Sequence, residues 1–428
     1  MGQPAAPQRP AGLAAYAAVT AAYWAFMLTD GALRMLVLLH FHALGFSPIQ
    51  LAWLFLLYEL MGVVTNLMAG WLAARFGLAS TLYAGLVLQI GALMALAALD
   101  PDWPMTLSVI FVMVVQGLSG IAKDLAKMSS KSAVKVLAPA HEKGALFRWV
   151  ALLTGSKNAV KGLGFLLGAV LLGTIGFHGA TLAMAAALGV VFIAVACFMP
   201  AGLPMGRKDA KFHEVFSKDG NINRLSAARL FLFGARDTWF VVGIPIYFYS
   251  VLSDGTVEGN HEAFFQIGGF MALWIVGYGI VQAAAPRLLG ARDKGVAATV
   301  GMARFWVGVL TVIPAALCLA AVLMAAGPSL TVTLVAGLLL FGVVFALNSA
   351  LHSYLILAFT QAGRVTMDVG FYYMANAAGR LLGTLLSGLS YELGGLPACL
   401  GTAAAMSALS FLLTGLLRRS EGLARLDA

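Results

Sequence analysis

The chain has 428 residues, of which 61% are hydrophobic and only 11% charged, and its formal net charge is +9. A soluble domain carries about a quarter charged residues, so this composition excludes an ordinary water-soluble protein. The basic residues are scattered through short loops without a zinc or RNA-binding motif, which argues against a nucleic-acid partner. The cysteines stand singly in apolar segments and predict neither a disulfide nor a metal site, and we expect no cofactor: Cys197, Cys318 and Cys399.

Apolar stretches recur at the length of about 20 residues that crosses about 30 Å of hydrocarbon. Lipid cannot satisfy backbone polar groups, and the stretches lack strand-like alternation, so they predict helices. The predicted spans are about 13–42, 49–74, 78–99, 104–126, 145–173, 177–199, 223–251, 263–286, 297–325, 329–358, 364–391 and 396–417. The expected fold class is an all-α polytopic membrane protein with twelve transmembrane helices.

The distribution of basic residues predicts the orientation of the chain. If the N-terminus is cytoplasmic, all 27 Lys and Arg residues lie in cytoplasmic loops, at their edges or inside spans. Because positive residues accumulate on the cytoplasmic side, both termini are predicted to be cytoplasmic. A charge in hydrocarbon is costly, so function is expected at the five cations inside spans: Arg34, Lys157, Lys161, Arg236 and Arg380.

One long polar interruption divides the spans into six and six. The predicted divisions are an N-terminal half 1–199, a cytoplasmic linker 200–222 and a C-terminal half 223–428. Two pseudo-symmetric six-helix halves are typical of major facilitator transporters, whose substrate sits between the halves near the midplane. The segment 70–77 resembles the signature loop of that superfamily, with Ala74 where the usual pattern has an aspartate.

Ionisable residues of the first two spans suggest coupling or gating. Asp30 and Arg34 are four residues apart on one helical face, where they either neutralise each other or contact a substrate. Glu59 lies near midplane, where an unpaired carboxylate suits proton coupling and a paired one neutralises Arg34 or another cation. His40, toward the outer end, is typical of an interfacial side chain, with a proton relay as the less favoured alternative.

Lysines on the fourth and fifth spans indicate anion binding. Lys123 and Lys127 are one turn apart and either line the cytoplasmic mouth of a cavity or contact lipid headgroups. Lys157 and Lys161 also share a face, deep in a helix that contains no acidic residue. Asn158 adds hydrogen-bonding capacity. We therefore favour an anion site here over a purely structural pair.

The second half adds arginines at similar depth. Arg236 lies about half-way across the predicted seventh span and is followed by Asp237, a further candidate for coupling or gating. Arg229, seven residues before Arg236, is counted with the cytoplasmic cations at the edge of this span. Asn376 and Arg380 share a face of the eleventh span. The deep cations exceed the deep acids, so the sequence predicts a cavity suited to a multiply charged anion.

Four segments resemble the ArsJ family of organoarsenical efflux permeases, which belongs to the major facilitator superfamily. They are YWAFMLTDGALRM (23–35), GIAKDLAKMS (120–129), RWVALLTGSKN (148–158) and SAARLFLFGARD (226–237). The resemblance implies export of 1-arseno-3-phosphoglycerate from a bacterial cytoplasm across the inner membrane. It also implies functional coupling to the glyceraldehyde-3-phosphate dehydrogenase that forms this ester from arsenate.

Charge alone suggests how such a substrate is held. We expect Lys157 and Lys161 with Arg34 to bind one oxyanion end, and Arg236 with Arg380 to bind the other. The alternative is an organophosphate or phosphate exchanger of the same superfamily. A more remote alternative is a membrane-embedded enzyme, for which the sequence shows no His-Glu-x-x-His pair. The chain is therefore predicted to be a transporter whose partners are a small multivalent anion and membrane lipids.

Overall fold

The computed structural model describes residues 9–76, 78–100, 102–137, 145–198, 217–290, 296–360 and 365–417. Within these ranges the chain is helical and forms no strand. Most of the predicted linker, up to residue 216, lies outside the described residues, as do the first eight and last eleven residues. The assignment of residues 200–222 to a linker therefore stays a prediction.

The first part of the chain forms five long helices. They are α1 Arg9–Ala43, α2 Pro48–Phe76, α3 Leu78–Ala97, α4 Met105–Leu137 and α5 Ala145–Phe198. The second part forms α6 Gly220–Thr238, a π-helical turn Trp239–Gly243, α7 Ile244–Leu252, α8 Val257–Leu288, α9 Val296–Leu323, α10 Pro328–Phe359 and α11 Val365–Gly415. We refer to α1–α5 as the first half and to α6–α11 as the second half.

Ten helical stretches in the described residues are long and apolar enough to cross a membrane, counting α6, the π-helical turn and α7 as one. Two of them, α5 and α11, have 54 and 51 residues, which is far more than one crossing requires. Each contains a break with left-handed backbone, at Gly176 with φ of 70° and at Gly395 with φ of 62°. Divided at these breaks, the helices match the predicted spans, and the all-α membrane fold is confirmed.

The span formed by α6 and α7 is distorted next to Arg236 and Asp237. Pro245, in the first turn of α7, has no N–H and cannot continue the regular hydrogen bonding. A π-helical turn precedes it, and the Ser387 hydroxyl of α11 accepts hydrogen bonds from the N–H groups of Val242 (3.1 Å) and Gly243 (3.2 Å). Such turns are frequent at functional sites, and this one fixes the end of α6 against α11.

Small residues let α1 and α5 approach each other closely. A Cβ at Gly164 would overlap the carbonyl oxygen of Leu28, and one at Gly168 would overlap that of Ala32. The small-xxx-small spacing of these glycines therefore brings backbone to backbone. As a result, Lys161 on α5 lies directly beside Asp30 on α1.

The two halves meet through α2 with α11 and through α5 with α8. Toward the end predicted to be external, the ring of His42 packs edge-on against Tyr249 with centroids 4.7 Å apart. The backbone N–H of Ile49 donates to the Glu392 carboxylate over 3.4 Å. The halves are therefore in contact at this end of the bundle.

Candidate binding cavity

A cavity of about 170 Å³ lies between the two halves. Its wall from the first half carries the cations Arg34, Lys123, Lys127, Lys157 and Lys161. Its wall from the second half carries Arg229, Arg236 and Arg380. Aromatic side chains such as Tyr23, Phe165 and Phe233 complete the lining. The cavity is therefore an aromatic-walled space with positive charge on both sides.

A chain of alternating charges crosses from one half to the other. The Glu59 carboxylate accepts from Arg34 over 2.9 Å and from Arg380 over 2.5 Å through the same oxygen. Arg380 also approaches Asp237, at 3.4 Å, and Asp237 pairs with Arg236 at 2.5 Å. Glu59 lies on α2 and Arg380 on α11, so this chain is an electrostatic link between the halves.

Asp30 does not pair with Arg34, contrary to one of the expectations from their spacing. Its carboxylate instead accepts from Lys161 of α5 over 2.7 Å and from the Tyr58 hydroxyl over 2.5 Å. Arg34 points to Glu59. The close packing of α1 and α5 explains the difference, because it offers Asp30 a cation on the neighbouring helix.

Asp124 neutralises one of the lysines of α4. It pairs with Lys127 over 2.8 Å and accepts from Thr65 over 2.7 Å and from Asn66 over 3.1 Å. Lys127 also donates to the side-chain oxygen of Asn66. These contacts bind α4 to α2, and they hold the Lys127 ammonium at the cavity wall.

Two buried cations of the cavity wall have no carboxylate partner among the residues that the structure describes. The Lys123 ammonium lies 4.0 Å from the centroid of the Tyr58 ring and makes no ion pair there. Arg229 donates only to neutral oxygens, those of Asn376 (2.9 Å) and Ser349 (3.0 and 3.1 Å). Neither cation is held in a direct ion pair with a carboxylate of the described residues, so both can contact an anion in the cavity without first losing one.

Cations outnumber acids at the cavity wall, in the direction that the sequence predicted. Eight cations line the cavity, while the acids that line it or pair with its cations are Asp30, Glu59, Asp124 and Asp237. Over the described residues, cations thus outnumber these acids by four. Buried charge without compensation is unfavourable, so the arrangement favours an anionic ligand.

A sequence model of the Major Facilitator Superfamily matches residues 16–318 of the chain. The chain belongs to this superfamily of transporters. Its fold is similar to a solved POT family transporter in complex with 5-aminolevulinic acid, at 14% identity and a TM-score of 0.71, covering 94% of this chain and 95% of the other. A POT family transporter in complex with a thioalcohol-conjugated peptide gives 13% identity, a TM-score of 0.72 and coverages of 93% and 94%. At such identities, these structures support the fold alone.

No curated protein sequence matches the chain. Superfamily membership and the ten apolar helical stretches make this a multi-pass membrane transporter.

Most of the residues singled out from the sequence converge on the cavity between the two halves. Those that line it are Arg34, Lys123, Lys127, Lys157, Asn158, Lys161, Arg236, Asp237, Asn376 and Arg380. Asp30 and Glu59 are buried behind the wall as partners of its cations. His40 is not in the lining; its ring stacks on Phe177 with centroids 4.2 Å apart.

The lining residues that were not sequence-based candidates include Arg229 and Gln282. Arg229 was grouped with the cytoplasmic loop cations, because it lies six residues into the predicted span. The α6 helix begins at Gly220, so Arg229 falls well inside it. Gln282 of α8 accepts from Asn158 over 3.2 Å and donates to Ser349 over 3.1 Å. The sequence signal that could have indicated Gln282 is a polar side chain within an otherwise apolar span.

Proposed function

We propose that the protein exports a small organic molecule with an oxyanion group at each end, and that this substrate is 1-arseno-3-phosphoglycerate. The observation that carries the proposal is the surplus of cations on both walls of the cavity. A cationic substrate would meet repulsion there, while a dianion would be compensated from both halves. The resemblance to the ArsJ family supports the arsenate ester in particular.

The size of the cavity supports a small substrate. Pockets for drug-sized ligands usually enclose about 300–1,000 Å³. The cavity here, at about 170 Å³, is smaller and suits a three-carbon molecule. Hard oxyanions bind well to Lys and Arg donors, and the guanidinium fork matches their geometry.

Ion pairing refines the binding roles expected from the sequence. Arg34, Lys161, Arg236 and Arg380 all have carboxylate partners, so an entering anion must compete with Asp30, Glu59 or Asp237. This competition gives the substrate a way to loosen the link between the halves. Alternating access then follows as a rocking of the halves about the cavity.

The predicted orientation fits export. With cytoplasmic termini in a bacterial inner membrane, the contacts of His42 with Tyr249 and of Ile49 with Glu392 close the external end. The cavity then loads from the cytoplasm, where a glyceraldehyde-3-phosphate dehydrogenase supplies the ester. The inside-negative potential favours outward movement of an anion by about 2.3 kcal/mol per charge per 100 mV.

Uptake into everted membrane vesicles tests the proposal. The vesicles receive arsenate, glyceraldehyde-3-phosphate, NAD⁺ and the dehydrogenase, and each component is omitted in turn. We expect arsenic to accumulate only with the complete mixture, and to fall at least about tenfold in K157A and R236A. R304Q is the matched control, since Arg304 is exposed on α9 and is not in the cavity lining. Accumulation from arsenate alone, or uptake of phosphate esters only, would instead support the anion-exchanger alternative.

A further inference from the structure

Arg229 is a buried cation on the cavity wall that the sequence-based hypothesis left out. Only 4% of the residue is exposed. Its Nε donates to Asn376 of α11, and its Nη1 donates to the carbonyl and hydroxyl oxygens of Ser349 on α10. The other guanidinium nitrogen, Nη2, makes no hydrogen bond to any residue that the structure places. The side chain is thus held by two helices with one donor group left over.

Arg229 and Arg236 form one stripe with Phe233 between them. The guanidinium carbon of Arg229 lies 4.1 Å from the centroid of the Phe233 ring, and that of Arg236 lies 4.8 Å from it. Both guanidinium carbons thus lie close to the same ring, and the sum of the two distances is the upper limit of their separation. Seven residues of helix separate the two arginines by about 10 Å along the axis. All three side chains line the cavity.

This spacing matches a short molecule with two charged ends. A three-carbon chain with a terminal oxyanion at each end has its charges separated by several ångströms, which is within the upper bound that the two ring distances set for the guanidiniums. We infer that Arg229 binds one oxyanion group of the substrate while Arg236 binds the other, in place of the division between the two walls expected from the sequence. Arg229 then makes the transporter selective for anions charged at both ends. The inference rests on the proposed function and names a residue of the same cavity.

The two arginines differ in what neutralises them. Arg236 is paired with Asp237 at 2.5 Å, whereas the described partners of Arg229 are neutral. An anion at Arg229 therefore displaces no carboxylate. Lys123, on the opposite wall, also lacks a carboxylate partner among the described residues and adds to the attraction. Arg229 is thus the site where binding a second oxyanion is least opposed.

Binding to purified protein tests the inference with two stable probes of equal carbon number. 3-Phosphoglycerate carries an oxyanion group at each end, and glycerol 3-phosphate carries one at a single end. We expect the wild-type protein to prefer 3-phosphoglycerate. In R229Q the affinity for 3-phosphoglycerate should fall at least about tenfold and that for glycerol 3-phosphate less than about threefold, because a charge-assisted bond is lost only for the former. R304Q should behave like the wild type.

The outcomes separate this inference from the proposed function. No preference for 3-phosphoglycerate in the wild type would overturn both. A wild-type preference that persists in R229Q, or an equal loss for both probes, would overturn the role of Arg229 alone. If R229Q does not purify as a folded protein, R229K decides, since it keeps the charge but loses the planar fork. Its preference should be reduced, and an unchanged preference would overturn the inference.

Discussion

Glu59 of α2 and Arg380 of α11 form an ion pair across the two halves of the transporter, with an N–O distance of 2.5 Å. The same Glu59 oxygen also accepts from Arg34, and Arg380 also faces Asp237. Glu59 is therefore a shared partner for two guanidiniums from different halves. A substrate anion that replaced it would remove the link while keeping both cations satisfied.

Because Glu59 pairs with both Arg34 and Arg380, we expect the loss of Glu59 to destabilise the protein more than the loss of Arg380. E59Q leaves Arg34 and Arg380 without their common carboxylate, whereas R380Q leaves Glu59 with Arg34 and Asp237 with Arg236. Breaking a buried pair costs about 3–5 kcal/mol when an uncompensated charge remains. We expect E59Q to lower the Tm in detergent clearly more than R380Q does. E258Q, which removes an exposed carboxylate in the first turn of α8, is the control. An equal effect of E59Q and R380Q would contradict the sharing of Glu59 by the two arginines.

The ion pair of Asp30 with Lys161 can be tested separately for its contribution to stability and its contribution to transport. D30N and K161M each leave one buried charge alone, so each should lower stability by about 3 kcal/mol or more. The double variant has neither charge and should recover most of that loss in a thermal unfolding experiment. Its transport in everted vesicles should stay below about a tenth of wild type, because Lys161 is proposed to bind substrate. Full recovery of transport would make the pair purely structural.

The sequence was sufficient for the fold and for most of the cavity, since span length and buried cations are local properties. Pairing was not predictable, because it depends on distances between helices. The spacing of Asp30 and Arg34 suggested an intrahelical pair. However, α5 approaches α1 closely at Gly164, so Asp30 pairs with Lys161 of α5 instead. Glu59 was correctly considered as a partner of Arg34, but its link to Arg380, 321 residues away, had no signal in the sequence.

Because α1 and α5 pack closely, we expect the stability cost of a Gly-to-Ala substitution to depend strongly on whether the glycine lies at their contact. G168A places a methyl group on the carbonyl oxygen of Ala32, so α1 and α5 must separate. Overpacking of this kind costs about 1–3 kcal/mol. G269A in α8 is the matched control, because no atom lies within 4 Å of the added Cβ, and it should be neutral or slightly stabilising. Thermal unfolding in detergent measures both variants, and equal Tm values would contradict the packing.

The charge surplus also predicts how transport is driven. If a multivalent anion leaves without a coupled proton, the membrane potential contributes about 2.3 kcal/mol per elementary charge per 100 mV. In everted vesicles the lumen corresponds to the cell exterior, so a lumen-positive potential should accelerate uptake. An imposed pH gradient at zero potential should have no effect, because Glu59 is held between Arg34 and Arg380 and serves as their counter-ion. Uptake that followed the pH gradient and ignored the potential would instead establish proton antiport, with Glu59 as the first candidate for the coupling residue.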